Sequence, residues 1–263
     1  MARGQKSYTL EEYIRAMDMF NKGFGITTVS RELDIPKSTL YYWRCGIYRP
    51  PSARWYPEPS NELAYVIGVM LGDGSLKRHS RDYDIKLNTI DIEFAETFSN
   101  MLAKLLNRKV LRPKYIGRKR GRNYGWEIAY SSKAFYTWFK RQSLETLKKY
   151  IEYDKDTVKY FLRGLYDSEG SNYKCRRISL CNSDLDLLQY TQYLLKRYFG
   201  IRAIGPYIQK RAGSIMIRNG RRYRRKVDVY ILEICRKRDV QAFLIKIGFS
   251  IREKQLGLPR RGK

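Results

Sequence analysis

The runs VIGVMLGDG (66–74) and LRGLYDSEG (162–170) repeat one plan 96 residues apart. Each is an apolar helical period closed by glycine, with an acid just before the glycine, Asp73 in the first and Glu169 in the second. A helix C-terminus carries partial negative charge, so a carboxylate there is unfavourable by about 0.3–1 kcal/mol. A chain that accepts this twice is predicted to use the two acids together.

The repetition continues downstream. Aligning Asp91 with Asp184 pairs Ile85 with Ile178, Leu87 with Leu180, Phe94 with Leu187 and Leu102 with Leu195. The offset is 93 there, so the first copy is expected to hold a hairpin loop three residues longer. Asp91 and Asp184 stand where helix N-caps belong. Each copy goes on into an extended basic stretch, with hairpin turns expected at 117–125 and 213–220, and closes with a helix near 133–139 or 240–247. The expected fold is α+β: a pseudo-twofold pair of αββαββα repeats, 61–155 and 156–263.

The motif helices, expected over 62–73 and 157–169, carry small residues four apart, Gly68 and Gly72 in one, Gly164 and Ser168 in the other. That spacing lets two helix backbones approach closely. Crossing there would bring Asp73 to Glu169, where divalent metal ions would offset their repulsion and make a catalytic centre. His79 is the single histidine, and Cys45, Cys175, Cys181 and Cys235 form no CxxC pair. A metal must then be held by carboxylates, which points to Mg²⁺ rather than Zn²⁺.

Ahead of the repeats, residues 1–50 form a pattern of their own. LEEYIRAMDMFNKG reads as an amphipathic helix with Leu10, Tyr13, Ile14, Met17 and Phe20 on one face. In ITTVSRELDIPKSTLYYWRCG, a short helix capped by Thr27 or Thr28 ends near Leu33, Asp34-Ile35-Pro36 turns, and a second helix runs over 37–45. This pairing is similar to the helix-turn-helix of resolvases, invertases and transposases, with Val29, Leu33, Ile35, Leu40 and Trp43 as its core. Lys37, Ser38, Thr39, Tyr41, Tyr42 and Arg44 would then face DNA. The Pro- and Ser-rich segment 51–60 is the expected linker.

Fifty-three Lys and Arg against 26 Asp and Glu give a net charge of +27, which calls for a polyanionic partner. The sequence has neither a run of eighteen apolar residues nor a signal-peptide core, so a soluble intracellular protein without a membrane partner is expected. A basic saddle on the sheets' open faces would meet the nucleic acid. Lys77, Arg78, Arg81, Lys86, Arg112, Lys114, Arg118, Lys119 and Arg122 would serve one half. Lys174, Arg176, Arg177, Lys210, Arg211, Arg218, Arg221, Arg222, Arg224 and Lys226 would serve the other.

The doubled motif, VIGVMLGDG with LRGLYDSEG, resembles that of single-chain LAGLIDADG homing endonucleases over about residues 60–258. The first copy has Leu71 where the family name has Asp, and the second has Glu169 for the final Asp. The resemblance implies a monomer that needs no protein partner, binds a long, imperfectly palindromic double-stranded DNA site and cuts both strands across the minor groove to leave short 3′ overhangs. It implies two or three Mg²⁺ ions at Asp73 and Glu169, with Gly72 and Ser168 beside them. Lys254 would be the closing catalytic lysine, Lys148 its guessed counterpart in the first repeat, and Thr89, Asn182 and Gln255 a polar shell around the acids. Such an enzyme is either intron-encoded, serving intron homing, or free-standing. An RNA maturase and a non-catalytic DNA-binding regulator are alternatives on the same fold.

Overall fold

The computed structural model describes residues 8–48, 55–79, 82–117, 125–218 and 221–258. Helix α1 (Leu10–Asn21) starts on a capping box in which Thr9 and Glu12 satisfy each other's backbone amides. Helices α2 (Ile26–Leu33) and α3 (Lys37–Arg44) follow, joined through Asp34 in the left-handed region. The expected cap at Thr27 or Thr28 is not formed: α2 starts at Ile26 behind Gly25, whose position is two residues ahead of Thr27. Tyr13, Ala16, Val29, Ile35, Leu40 and Trp43 make a small core of their own, and Leu33 packs at its edge.

Of the expected linker, residues 51–54 lie outside the described residues, and the residues that follow are packed. Trp55 is buried in the main core against Phe135 and Trp138, whereas the next residue, Tyr56, packs on the helical module against Tyr13. An exposed ion pair, Arg141 with Glu11, adds a second tie between module and body.

The first repeat comprises α4 (Asn61–Leu71), β1 (Gly74–His79), β2 (Asp82–Thr89), α5 (Ile92–Leu105), β3 (Lys114–Ile116), β4 (Gly125–Ser131) and α6 (Lys133–Lys140). A helix not foreseen from the sequence, α7 (Leu144–Ile151), leads into the second repeat. That repeat comprises α8 (Lys155–Glu169), β5 (Gly170–Tyr173), β6 (Arg177–Asn182), α9 (Leu185–Phe199), β7 (Ile204–Lys210), β8 (Ile215–Arg218), β9 (Arg221–Arg224), β10 (Val229–Ile234), α10 (Lys237–Lys246) and α11 (Arg252–Gln255).

The sheets have equivalent orders, β1-β2-β4-β3 and β5-β6-β10-β7, with antiparallel neighbours throughout, so the α+β pair of repeats is the observed architecture. Two details differ from the expectation. The first hairpin is longer because its strands are longer: Gly74 pairs with Leu87, whereas its counterpart Gly170 pairs with Leu180. The turn expected at 213–220 belongs to a separate two-stranded ribbon, β8 with β9, inserted between β7 and β10.

Alternation decides which face of each sheet meets the helices. Ile85, Leu87 and Ile128 in one sheet and Ile178, Leu180 and Leu232 in the other point into a shared core with α4 and α8. The intervening residues line the opposite, open faces. Among the described residues no helix is long and apolar enough to cross a membrane.

Candidate metal centre and nucleic-acid interface

Helices α4 and α8 meet through their glycines. A Cβ on Gly68 would fall within 2.8 Å of the Leu165 amide nitrogen and closer still to the Phe161 carbonyl oxygen. A Cβ on Gly164 would collide in turn with the Tyr65 carbonyl and lie 3.2 Å from the Val69 nitrogen. One turn on, a Cβ on Gly72 would lie 2.5 Å from Ser168 Cβ and 3.2 Å from Glu169 Cγ. The small residues at i and i+4 thus form the crossing, which continues to the C-terminal ends of both helices.

Asp73 and Glu169 are neighbours as a result. Glu169 is half-buried and Asp73 exposed. Burial first, and then the Asp73 charge, raises the Glu169 pKa to about 7, while Lys254 pulls it down. Lys254 is itself 4% exposed. Its ammonium donates to the carbonyl oxygens of Tyr166 (3.2 Å) and Asp167 (2.5 Å) in the last turn of α8. A cation therefore lies at the negative pole of the helix that ends in Glu169, which offsets part of the dipole penalty.

This donor set suits a hard divalent cation. Two carboxylates stand close enough for the charge on Asp73 to raise the Glu169 pKa, and among the described residues no cluster of three or more His, Cys, Asp or Glu side chains is placed to hold a metal. Ligands beyond Asp73 and Glu169 would be backbone, water or phosphate oxygens, the donors that Mg²⁺ favours. Softer Zn²⁺ would look for nitrogen or sulfur.

The residues expected around the acids have specific tasks. Thr89 Oγ1 accepts from the Asp91 amide at 3.2 Å and Asn182 Oδ1 from the Asp184 amide at 2.9 Å, so these matched residues make the same strand-to-helix turn in the two repeats. The Gln255 carboxamide is taken up by backbone, accepting from Phe249 N (2.8 Å) and donating to Leu244 O (3.0 Å). Lys148 does not match Lys254: it pairs with Glu145 at 2.6 Å and lies over the Tyr190 ring.

Asp167 escaped the sequence reading. It is buried, 1% exposed, and accepts from Tyr65 Oη, Ser250 Oγ and the Ser250 amide. Burial pushes its pKa up, against the pull of Ser250, Lys254 and Tyr65. The available signal was the motif itself, since Asp167 is the Asp that Leu71 replaces in the first copy. Cys181 was also missed: the Glu169 charge is among the causes that raise its pKa, after burial.

The open sheet faces carry the expected basic side chains together with acids the sequence reading did not assign there. Lys77 and Lys114 are exposed. Lys86 is half-buried and paired with Glu127 on the neighbouring strand. Arg177 pairs with Glu233 at 3.4 Å, and Tyr207 donates to the same carboxylate. Arg78 departs from the expectation: its strand partner Tyr83 shares a face with Ile85 and Leu87 and packs on Tyr136 of α6, so Arg78, lying over the Tyr83 ring, is on the helix side of the sheet and not on the open face. Arg112, Lys174, Arg176, Lys210, Arg211 and Lys226 are exposed, as are Arg222 and Arg224 on the inserted ribbon, to which Arg218 and Arg221 also belong. Arg81, Arg118, Lys119 and Arg122 lie outside the described residues. In the helical module Lys37, Ser38, Tyr41 and Tyr42 are exposed and Thr39 half-buried, while Arg44 lies over the Phe20 ring.

Residues 156–248 match the family model described as a LAGLIDADG-like domain. An uncharacterised protein of Methanocaldococcus jannaschii, MJ0398, is 33% identical over 232 residues, covering 86% of this chain and 82% of its own. A structure of mesophilic variants of the homing endonuclease I-DmoI superposes with a TM-score of 0.50 at 21% identity, covering 72% of this chain and 95% of that one. An I-DmoI variant in complex with its nicked target DNA, in the presence of Mn, gives a TM-score of 0.50 at 20% identity over 73% and 97% of the two chains.

Proposed function

We propose, starting from the fact that this chain belongs to the LAGLIDADG-fold family, that it is a site-specific, metal-dependent DNA endonuclease with an added helix-turn-helix reader. The observation that carries this is the Gly68–Gly164 crossing, with Asp73 and Glu169 coupled at its end and Lys254 beside Glu169. The likeness to I-DmoI, solved with target DNA and Mn, supports both the substrate class and the use of a divalent ion.

On this reading Asp73 and Glu169 would hold Mg²⁺, with Gly72 and Ser168 beside them. Such an ion supplies charge neutralisation at a scissile phosphate. The chain's own residues do the rest. Gly72 keeps the two helix ends close enough for both acids to face one phosphate. Lys254, held on the α8 carbonyls, keeps a positive charge next to Glu169 and favours its ionised form. The sheets' open faces grip the duplex backbone, and the cross-strand acids Glu127 and Glu233 hold Lys86 and Arg177 in place for it. Lys37, Ser38, Thr39, Tyr42 and Arg44 on α3 add contacts beyond the main site.

The test is strand cleavage. Purified protein with Mg²⁺ or Mn²⁺ is incubated with a randomised duplex library, and cut ends are recovered and sequenced. Recurrent double-strand ends at one long sequence are expected from wild type, with a loss of about 100-fold or more in Asp73→Asn and Glu169→Gln. A wild type that binds one site tightly and never cuts would instead be a DNA-binding regulator on this fold.

A further inference from the structure

Asp167, the other acid of the second motif, is turned away from solvent and bound to two distant segments. Its carboxylate accepts from Tyr65 Oη on α4 at 2.9 Å, and from Ser250 Oγ and the Ser250 amide at 2.6 and 2.9 Å. Its main-chain carbonyl accepts from Lys254 Nζ at 2.5 Å. One residue therefore holds residues 250–254 at both ends, by its side chain at Ser250 and by its backbone at Lys254. The far side of the segment is tied as well, since Asn172 donates to the Lys254 carbonyl at 2.8 Å.

Helix packing alone does not call for a carboxylate here. Leu71 stands at the matched position of the first motif and packs against the main core. A buried carboxylate is costly unless fully hydrogen-bonded, and Asp167 has three donors aimed at it from outside its own helix. What distinguishes the second motif from the first is the segment that Asp167 anchors and the ammonium that this segment delivers to the end of α8.

We propose that Asp167, Ser250 and Tyr65 are positioning residues that fix Lys254 beside Glu169, and that the two halves of the cleavage centre are unequal because the first motif has Leu71 in place of this anchor. The assignment rests on the nuclease reading above. Loosening the anchor slows the cut made on the Glu169 side and spares the other, so nicked DNA accumulates.

Ser250→Ala and Tyr65→Phe each remove one donor and keep the packing, whereas Asp167→Asn risks the fold. Each variant is assayed on target DNA labelled separately on its two strands, beside Ser250→Thr, which keeps the hydroxyl. The expected result is a fall of about 10-fold in the turnover rate for one strand in Ser250→Ala, unchanged DNA affinity, less than a 2-fold change for the other strand, and recovery in Ser250→Thr. Equal slowing of both strands, or no slowing, overturns the proposal while leaving the nuclease reading in place.

A second readout needs neither metal nor cleavage. Reductive methylation followed by mass spectrometry measures the access of reagent to each lysine in the free protein. Lys254 is expected to be protected in wild type and modified at least several-fold faster in Ser250→Ala, with exposed lysines unchanged. Equal protection in the two proteins overturns the anchor. Failure of the wild type to cut overturns the nuclease reading, and Lys254 protection still decides whether the anchor exists.

Discussion

Gly68 and Gly164 oppose each other across the helix crossing, and the space a side chain would need at each is filled by the other helix's backbone. The contact is reciprocal: Gly68 abuts Phe161 and Leu165, and Gly164 abuts Tyr65 and Val69. Both acids depend on it for their proximity.

Gly68→Ala is therefore expected to force the helices apart. Overpacking of this kind costs about 1–3 kcal/mol, and the shift is transmitted to Asp73 and Glu169. Thermal denaturation should show a lower Tm, and cleavage should fall further than the lost stability explains. Gly117→Ala, at an open position on the surface, serves as the control and should change neither.

The acid pair makes a prediction for metal-free protein. Glu169 titrates near 7 in the folded state, above an ordinary carboxylate, so its contribution favours folding when protonated. That contribution is fully present below the unfolded pKa and is lost as pH rises through the folded one. In a chelator, Tm should fall between about pH 4.5 and 7, and Glu169→Gln should flatten the decline. Asp167, also shifted upward, contributes in the same direction, so the difference between wild type and Glu169→Gln is the informative quantity. Added Mg²⁺ should recover stability at pH 7 in wild type and not in Glu169→Gln. An identical slope in both proteins would contradict the coupling.

The helical module should be separable from the chemistry if the cut is made in the right place. Trp55 belongs to the main core, so a deletion should remove residues 1–54 and no more. Weaker target binding is expected, about 10-fold or more, with a shallower dependence of log Kd on log salt because phosphate contacts are lost. The maximal cleavage rate should stay within about 2-fold of wild type. A fall in maximal rate at saturating DNA would assign the module a role in the catalytic step.

Acids on the open sheet faces are expected to restrain non-specific binding. Glu127→Gln releases Lys86, and Glu233→Gln releases Arg177 and the Tyr207 hydroxyl. Each should tighten binding to unrelated duplex by a few-fold and reduce the ratio of specific to non-specific affinity. Fluorescence anisotropy on target and scrambled duplexes at several salt concentrations measures both. A change confined to the target duplex would mean that the acids read bases directly.

The parts of the fold that were legible in the sequence are those in which local chemistry and long-range packing share a cause. Gly68, Gly164 and Gly72 are small because another backbone passes there, and the spacing that reveals them is the spacing that makes the crossing. The matched strand ends at Thr89 and Asn182 were visible through the same offset, although their role as turn acceptors was not. Helix α7 went unseen because its capping pair, Ser143 with Thr146, sits directly after the end of another helix. Alternation alone does not say which strand a strand pairs with, so the inserted ribbon reads in the sequence as the tip of a longer hairpin.

Partner choice was the least legible layer. Lys86 and Arg177 were recognisable as basic residues on open faces, but their acids come from strands whose register is set by the whole sheet. Asp167 was hidden by its company: in a motif whose final acid has an evident use, nothing local marked the preceding one as buried. Its partners, Tyr65 and Ser250, lie 102 and 83 residues away in the chain.

The glycine crossing also bears on which mutations can be rescued. A clash between two side chains can be relieved by trimming either one, so a selection usually finds second-site suppressors on the facing element. At Gly68 the obstacles are the carbonyl of Phe161 and the amide of Leu165, and at Gly164 the carbonyl of Tyr65. Peptide atoms are the same whatever residue bears them. A suppressor screen begun from Gly68→Ala should therefore return true revertants and no compensating change on the opposite helix.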